Sequence, residues 1–293
     1  MIIEQPQLVL DTRSPLGEGP LWDAGRQVLW WTNILGNVVY RYDPATGTND
    51  SWDVGQMVGT LVLAESGGLV LAVQNGFVRF DPETGATTTI ADPEPNKLEN
   101  RFNDGKCDPA GRLWAGTLPL SEDHPGGAMY CLHPDGTVEP KGDGYRIPNG
   151  IAWSADTKTM WHIDSPTRRI DAWDFDNATG AITNRRTAFE ITEPGAFPDG
   201  MAIDSEGMLW VAQWGGASVV RYHPETGEVL ARLELPVTQV TACTFAGPAL
   251  NELYITSARK NLTEEELAKQ PLAGSLFRAK VAVTGTEFTK FAG

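Results

Sequence analysis

One segment type that occurs six times constrains the fold of this chain more than any other feature of its sequence. Each copy is a short run of apolar and aromatic residues that follows a turn rich in Gly, Asp or Asn. The copies are marked by Trp30, Val70, Trp114, Trp161, Trp210 and Tyr254, with spacings of 40, 44, 47, 49 and 44 residues. Each spacing has the size of one four-stranded propeller blade. The sequence therefore predicts an all-β fold, a six-bladed β-propeller that takes up residues 1–293 as a single domain.

Two further segments concern how the ring closes and how its last blade is decorated. Residues 7–10 read as a strand, and we expect them to pair with the last blade, because closure removes the open sheet edge of a propeller. Thr263 and Glu266 have the spacing of a capping box, which predicts a short helical turn on the last blade.

Charge and composition exclude several classes of function. The net charge is −15, from 38 acidic and 23 basic residues, which argues against nucleic acid and anionic membranes as partners. No apolar stretch approaches the ~18 residues of a membrane span, and the first residues lack the pattern of a signal peptide. Cys107, Cys131 and Cys243 are far apart and without CxxC spacing. We therefore expect a cytoplasmic protein with reduced, mostly buried thiols. The sequence leaves the oligomeric state open, and a monomer is the default expectation.

Polar residues recur ahead of the markers, at the expected start of the innermost strand in four blades. Glu18, Asp104, Asn149 and Asp199 lie 12, 10, 12 and 11 residues before their markers. Equivalent positions of different blades surround the propeller axis, so these side chains should meet at one mouth of the channel. Asp-Gly and Asn-Gly are also common turn dipeptides, but a turn does not require Glu18 at the matching place. Carboxylates gathered in this way repel one another unless a cation lies among them or some are protonated.

The oxygen atoms of this ring predict a site for one divalent cation. They suit Ca²⁺, Mg²⁺ or Mn²⁺, with Zn²⁺ and Fe²⁺ as further alternatives, and the lack of His and Cys in the ring weakens the case for zinc. The chain has no GxSxG elbow, so a nucleophilic serine is not indicated, and Ser165 is predicted to lie at a strand end or turn. His162 is predicted to be a structural histidine with its hydrogen bonds satisfied.

The ring motifs together resemble the regucalcin/senescence-marker-protein and gluconolactonase family. The matching stretches are LGEGP at residues 16–20, NRFNDGK at 100–106, PNG at 148–150 and FPDG at 197–200. The similarity runs from about residue 7 to the last blade. It implies a six-bladed propeller that opens sugar-acid lactones with one divalent metal.

The resemblance also implies roles for individual residues. Glu18, Asn149 and Asp199 would bind the metal, and Asp104 would lie near it. Arg101 and Asn103 would bind the substrate, together with an acidic position that either Ser121 or Glu122 occupies here. Asp199 is our candidate general base for the water that attacks the lactone.

Two other functions compete with a metal-dependent lactonase for small-molecule sugar lactones. The same site could act on another ester or a phosphotriester, although the polar residues Arg101 and Asn103 favour a hydroxylated substrate. Alternatively, the chain could be a calcium-binding regulator or a non-catalytic interaction propeller, because propellers serve many unrelated functions. The sequence leaves open which aldonolactone is the substrate.

Overall fold

The computed structural model describes residues 2–293, which form six four-stranded antiparallel sheets. The innermost strands are β2 (Gly17–Asp23), β6 (Val58–Leu63), β10 (Asn100–Cys107), β14 (Pro148–Trp153), β18 (Phe197–Ile203) and β22 (Val240–Ala246). The second strands are β3 (Val28–Asn33), β7 (Leu69–Val73), β11 (Leu113–Pro119), β15 (Thr159–Asp164), β19 (Leu209–Trp214) and β23 (Glu252–Ser257). The third strands are β4 (Val38–Asp43), β8 (Gly76–Asp81), β12 (Gly127–Leu132), β16 (Arg169–Asp176), β20 (Ser218–Tyr222) and β24 (Leu276–Val281). The outer strands are β5 (Thr48–Asp53), β9 (Ala86–Ala91), β13 (Val138–Tyr145), β17 (Ala181–Glu190), β21 (Val229–Glu234) and β1 (Ile2–Leu10).

The six sheets are arranged around one axis. Each innermost strand contacts the innermost strands of the two neighbouring sheets, and β22 contacts β2, which completes the circle. All six sequence markers lie in the second strands, where they are fully or nearly fully buried. The prediction of a six-bladed β-propeller is confirmed.

The ring closes through the first and last strands of the chain. Strand β1 pairs with β24, with Gln7 opposite Arg278 and Leu8 opposite Phe277, so the sixth blade contains one strand from the start of the chain. The predicted helical turn is also present as α1 (Glu264–Lys269), and Thr263 forms the capping box at its start. No helix within residues 2–293 has the length and apolar character needed to cross a membrane.

The core lies between adjacent blades and is rich in aromatic side chains. Trp114 of one blade packs edge-on against Trp153 of the next, with ring centroids 6.2 Å apart. The three cysteines, Cys107, Cys131 and Cys243, are free and buried, as the sequence predicted.

A buried ion pair ties the marker tryptophan to the turn before it in two blades. In the fifth blade Asp204 Oδ2 accepts hydrogen bonds from Trp210 Nε1 at 2.9 Å and from Arg221 Nε at 2.7 Å. In the third blade Asp108 accepts from Trp114 in the same way, at 2.9 Å. The signal, an Asp six residues before the marker Trp, was present in the sequence and was missed.

Every innermost strand carries a register shift against its neighbour near the axis. The shifts lie between Glu18 and Leu21, Val58 and Thr60, Phe102 and Gly105, Pro148 and Ile151, Pro198 and Met201, and Val240 and Ala242. A β-bulge bends its strand and changes the direction of the side chains beside it. The repeated bulge therefore sets the direction of the polar ring residues in all four blades that carry them.

The glycines that follow the ring residues Asn149 and Asp199 lie within strands and not in turns. A Cβ on Gly150 would lie 2.5 Å from Met201 Cβ and 2.8 Å from the carbonyl oxygen of Asp199. A Cβ on Gly200 would lie 2.5 Å from Ala242 Cβ. Glycine is required at these positions because neighbouring innermost strands approach each other closely there.

We expect Gly150→Ala to destabilise the protein by ~1–3 kcal/mol, because the added methyl group overpacks the contact between β14 and β18. Chemical denaturation measures the free energy of unfolding. Gly25→Ala is the control, since Gly25 lies in an exposed turn where the nearest atom to a new Cβ is Asp23 Oδ1 at 3.3 Å. Equal stability of the two variants would contradict the close-approach explanation.

Candidate functional site

A cavity of about 330 Å³ gathers most of the residues that the sequence singled out. Its lining includes Glu18, Arg101, Asn103, Glu122, Asn149 and Asp199. Apolar side chains such as Phe197 and Trp214 form part of its wall. Strands β2, β10, β14 and β18 supply all of these ring residues except Glu122, which lies in the loop between β11 and β12.

Asp104 is the predicted site residue that does not line this cavity. It lines a separate space of about 30 Å³ together with Lys106, Cys243 and Phe288. Asn103 and Asp104 lie within the bulge of β10, and their side chains line different spaces. The backbone N–H of Gly105 donates to Asp104 Oδ1 at 2.7 Å. A place for Asp104 near a metal stays a prediction.

A chain of hydrogen bonds along the wall of the cavity connects three blades. Asn103 Nδ2 donates to the carbonyl oxygen of Pro148 at 2.8 Å and to Asn149 Oδ1 at 2.9 Å. Asn149 Nδ2 donates to Ser165 Oγ at 2.8 Å, and this hydroxyl donates to the carbonyl oxygen of Pro198 at 2.6 Å. These bonds fix the orientation of the Asn149 amide. Ser165 follows β15 directly, as predicted, but its link to Asn149 was not foreseen.

Glu18 and Asp199 are buried acids whose pKa values are both raised. Their exposed fractions are 5% and 6%. Burial and then the charge of Asp104 raise the pKa of Glu18 to about 8, although the Gly19 N–H donates to its carboxylate. Burial, followed by the charges of Glu18 and Asp104, raises the pKa of Asp199 well above its ordinary value. Asp199 Oδ1 is buried without any hydrogen-bond partner among residues 2–293.

Arg101 joins the hydrogen-bond chain to the loop that carries Glu122. Its Nη1 donates to the carbonyl oxygen of Phe102 at 3.0 Å and to Asn103 Oδ1 at 2.7 Å. Its Nη2 donates to Glu122 Oε1 at 3.2 Å. Burial lowers the pKa of Arg101, and the charge of Glu122 opposes this shift. The guanidinium is therefore held in place on one side of the cavity.

Glu122 is also contacted by two cationic residues that the sequence did not suggest. Lys260 Nζ donates to Glu122 Oε1, and Arg146 Nε donates to the carbonyl oxygen of Glu122 at 2.8 Å. Both cations line the cavity. Ser121 is instead exposed, and its hydroxyl donates to Asp123 Oδ1 at 2.6 Å. The geometry favours Glu122 over Ser121 as the acidic contact of the cavity.

The ring residues offer oxygen donors to a divalent cation. Within residues 2–293 no three His, Cys, Asp or Glu side chains come together as a metal-binding group. The expected set has only two carboxylates, Glu18 and Asp199, and its third donor is the amide of Asn149. Oxygen donors of this kind, a raised carboxyl pKa and an unpartnered buried carboxylate oxygen fit a hard divalent cation.

Comparison with known proteins decides the family of the chain. Residues 16–259 match the family described as SMP-30/Gluconolactonase/LRE-like region. The chain belongs to this family. It is 39% identical to regucalcin of Xenopus laevis over 293 residues, with 98% of both chains covered.

Two further proteins are similar to this chain over nearly its whole length. A Bacillus subtilis protein, provisionally named sugar lactone lactonase YvrE, is 36% identical over 286 residues and is covered to 98%, as is this chain. The crystal structure of a protein described as a calcium-binding protein, regucalcin, from Agrobacterium tumefaciens has a TM-score of 0.95 and 30% identity. That match covers 99% of this chain and 98% of the other. The resemblance to the SMP-30/gluconolactonase family is confirmed.

His162 of this SMP-30/gluconolactonase-family chain lies outside the cavity lining, as expected for a structural histidine. The prediction that its hydrogen bonds are satisfied is wrong, because Nε2 is buried without a partner in the described residues. The ring packs edge-on against Tyr145, with centroids 5.1 Å apart. Burial, with a smaller effect of Arg185, lowers the pKa of His162 to about 3.

We expect the metal-free protein to lose stability as the pH rises from 6.5 to about 8. Folded Glu18 has a pKa of about 8 against an ordinary 4.5, so its contribution is complete below pH 4.5 and disappears through pH 8. Asp199 acts in the same direction. His162, with a pKa of about 3 against 6.5, destabilises the fold only below pH 6.5. Melting temperatures of chelator-treated wild type and Glu18→Gln should show a flatter pH profile for the variant, and parallel profiles would contradict this explanation.

Proposed function

We propose that this protein is a divalent-metal-dependent hydrolase that opens sugar-acid lactones. The observation that carries the proposal is the convergence of Glu18, Asn149 and Asp199 with Arg101 in one cavity. Membership of the SMP-30/gluconolactonase family supports this reaction class, as does the sugar lactone lactonase name of the Bacillus subtilis relative.

Glu18, Asn149 and Asp199 would hold the cation. The unpartnered Oδ1 of Asp199 and the raised pKa of Glu18 support this assignment. When bound, such an ion supplies Lewis-acid polarisation of a carbonyl group and lowers the pKa of water.

The protein's own groups would then move the proton and stabilise the developing charge. Water adds to the lactone carbonyl carbon while Asp199 accepts its proton. The bond between the carbonyl carbon and the ring oxygen breaks, and Asp199 returns its proton to the ring oxygen, which yields the open hydroxy acid. Arg101 retains N–H groups beyond the three bonds described above, so it can donate to the carbonyl oxygen as negative charge develops there.

Asn103 acts mainly as a positioning residue in this proposal. Its two Nδ2 hydrogens are donated to Pro148 and Asn149, and its Oδ1 accepts from Arg101. Only one lone pair of Oδ1 remains for a substrate hydroxyl. Asn103 therefore orients both the Arg101 guanidinium and the Asn149 amide.

The size and lining of the cavity support a small hydroxylated substrate. Its volume of about 330 Å³ lies at the lower end of the range for small-molecule sites. Arg101, Glu122 and Lys260 provide polar contacts, and Phe197 and Trp214 provide apolar surfaces.

The test is hydrolysis of a panel of aldonolactones by chelator-treated protein to which single metals are returned. Spontaneous opening must be subtracted, because these lactones hydrolyse unaided. We expect turnover to vanish on chelation and to return with at least one of Ca²⁺, Mg²⁺, Mn²⁺, Zn²⁺ or Fe²⁺. Opening at the background rate with every ion would contradict the proposal, and turnover of simple esters or phosphotriesters alone would reassign the substrate.

A binding function without catalysis is the second candidate. The oxygen-only donor set suits Ca²⁺, and the Agrobacterium tumefaciens neighbour is described as a calcium-binding protein. Calorimetric Ca²⁺ binding that is lost in Glu18→Gln, with no turnover of any lactone, would favour this function.

A further inference from the structure

Three positively charged side chains contact one residue, Glu122, at one side of the cavity. This cationic corner consists of Arg101, Arg146 and Lys260 around Glu122. One oxygen, Glu122 Oε1, accepts hydrogen bonds from both Arg101 and Lys260, and Arg146 reaches only the backbone oxygen of Glu122. The corner therefore has two more positive than negative side chains, in a protein whose net charge is −15.

The cations of this corner retain unused hydrogen-bond donors. Arg146 makes one side-chain hydrogen bond within residues 2–293, through Nε, and no carboxylate of that region forms an ion pair with it. Four of its five N–H groups are thus available, and Lys260 has two of three. Both side chains line the cavity that contains Glu18 and Asp199.

We propose that the preferred lactone carries an anionic group, a carboxylate or a phosphate, at the end away from its ring carbonyl. This inference rests on the proposed lactonase function. The carbonyl lies toward Asp199, and Arg146 and Lys260 bind the anionic group. The planar fork of Arg146 can donate two parallel hydrogen bonds to such a group, and charge-assisted bonds of this kind are the strong ones.

The reaction itself is unchanged by the additional group. Water adds to the carbonyl carbon, the bond from that carbon to the ring oxygen breaks, and the ring oxygen gains a proton. The product is a hydroxy acid with two anionic ends, one newly formed. An enzyme of this kind consumes the lactone that forms when a sugar already bearing an acidic group is oxidised at its reducing end.

The test compares lactones of one sugar that differ only in the distant group. The probes are the neutral gluconolactone, the monolactone of glucaric acid and 6-phosphogluconolactone, each assayed for kcat/KM with the same returned ion. We expect at least one anionic lactone to be preferred over the neutral one by about tenfold or more, as for one charge-assisted hydrogen bond. The preference should decrease at high salt, because partly exposed charges are screened. The anionic lactone with the higher kcat/KM shows whether the bound group is a carboxylate or a phosphate.

Substitutions in the cationic corner test whether its residues cause the preference for anionic lactones. Arg146→Gln should reduce the ratio of anionic to neutral kcat/KM by about 10- to 100-fold, and Lys260→Gln should reduce it in the same direction. Arg186→Gln is the matched control, because it also removes one positive charge but lies on β17, where Arg186 pairs with Asp174. This control should leave the ratio unchanged.

The outcomes separate this inference from the proposed function. Turnover of neutral lactones with no anionic preference, or a ratio unaffected by Arg146→Gln, overturns the inference and leaves the lactonase assignment intact. Failure of every lactone with every ion overturns both. Product inhibition of the wild type tests the inference without any variant. Glucaric acid, the diacid product, should inhibit at least about tenfold more strongly than gluconic acid, the monoacid product. Equal inhibition by the two acids would contradict the inference.

Discussion

Replacing Asp199 by Asn is expected to reduce lactone turnover by ~10²–10⁴-fold, the range for a positioned acid–base group. The amide has the shape of the carboxyl group but cannot accept the proton of the attacking water. The metal-free variant should be at least as stable as the wild type, because burial and the charge of Glu18 already raise the pKa of Asp199 well above its ordinary value. Asn at this position removes the electrostatic repulsion.

Kinetics and thermal melting together test this expectation. Turnover is measured with each returned ion, and the melting temperature separates loss of chemistry from loss of fold. Asp174→Asn is the control, because it makes the same carboxylate-to-amide change away from the cavity. Asp174 lies on β16, and its side chain is about half exposed. Wild-type turnover by an ion-loaded Asp199→Asn protein would place the base on another residue.

Replacing Asp204 by Ala should lower the free energy of unfolding by ~3–5 kcal/mol, the cost of removing one partner of a buried ion pair, because Arg221 then keeps only the exposed Glu206 as a partner. The Asp204 side chain is 0% exposed and that of Arg221 is 4% exposed. The change also removes the acceptor of Trp210 Nε1. Chemical denaturation measures the effect.

A surface ion pair provides the comparison for this stability effect. Asp50→Ala breaks the pair of Asp50 with Arg41, whose side chains are 48% and 30% exposed. We expect a loss of at most ~1 kcal/mol there, because solvent screens exposed pairs. If both variants lost the same stability, the network around Asp204 would not be an anchor of the fifth blade.

The fold could be predicted because its information is local and repeated. Each marker, such as Trp114 or Trp210, belongs to a buried second strand. The turn before that strand can be recognised from the Gly, Asp or Asn residues that directly precede it in the sequence. Glu18, Asn149 and Asp199 could also be predicted, since they occupy one repeated position of the innermost strand.

The remaining parts of the site depend on contacts that no repeat encodes. Lys260 and Glu122 are 138 residues apart, and both lie in loops without a counterpart in the other blades. Arg146 likewise lies in the short connection between β13 and β14. Asp104 was expected beside the metal ligands because its offset of 10 residues is close to theirs. The register of β10 against β11, in which Lys106 pairs with Trp114, instead puts Asn103 at the matching position, and Asp104 lines the smaller space.

The pairing of β1 with β24 has a consequence for the order of events on the ribosome. At the ~5–20 residues per second of translation, β24 emerges roughly 15–50 s after β1. During that delay β1 has no native partner, and an unpaired strand readily joins the wrong sheet. Glu4 and Pro6 interrupt the apolar pattern of β1, and Pro6 cannot donate a backbone hydrogen bond. The nascent chain thus carries, within its own first strand, residues that discourage misassembly until the last blade has been made.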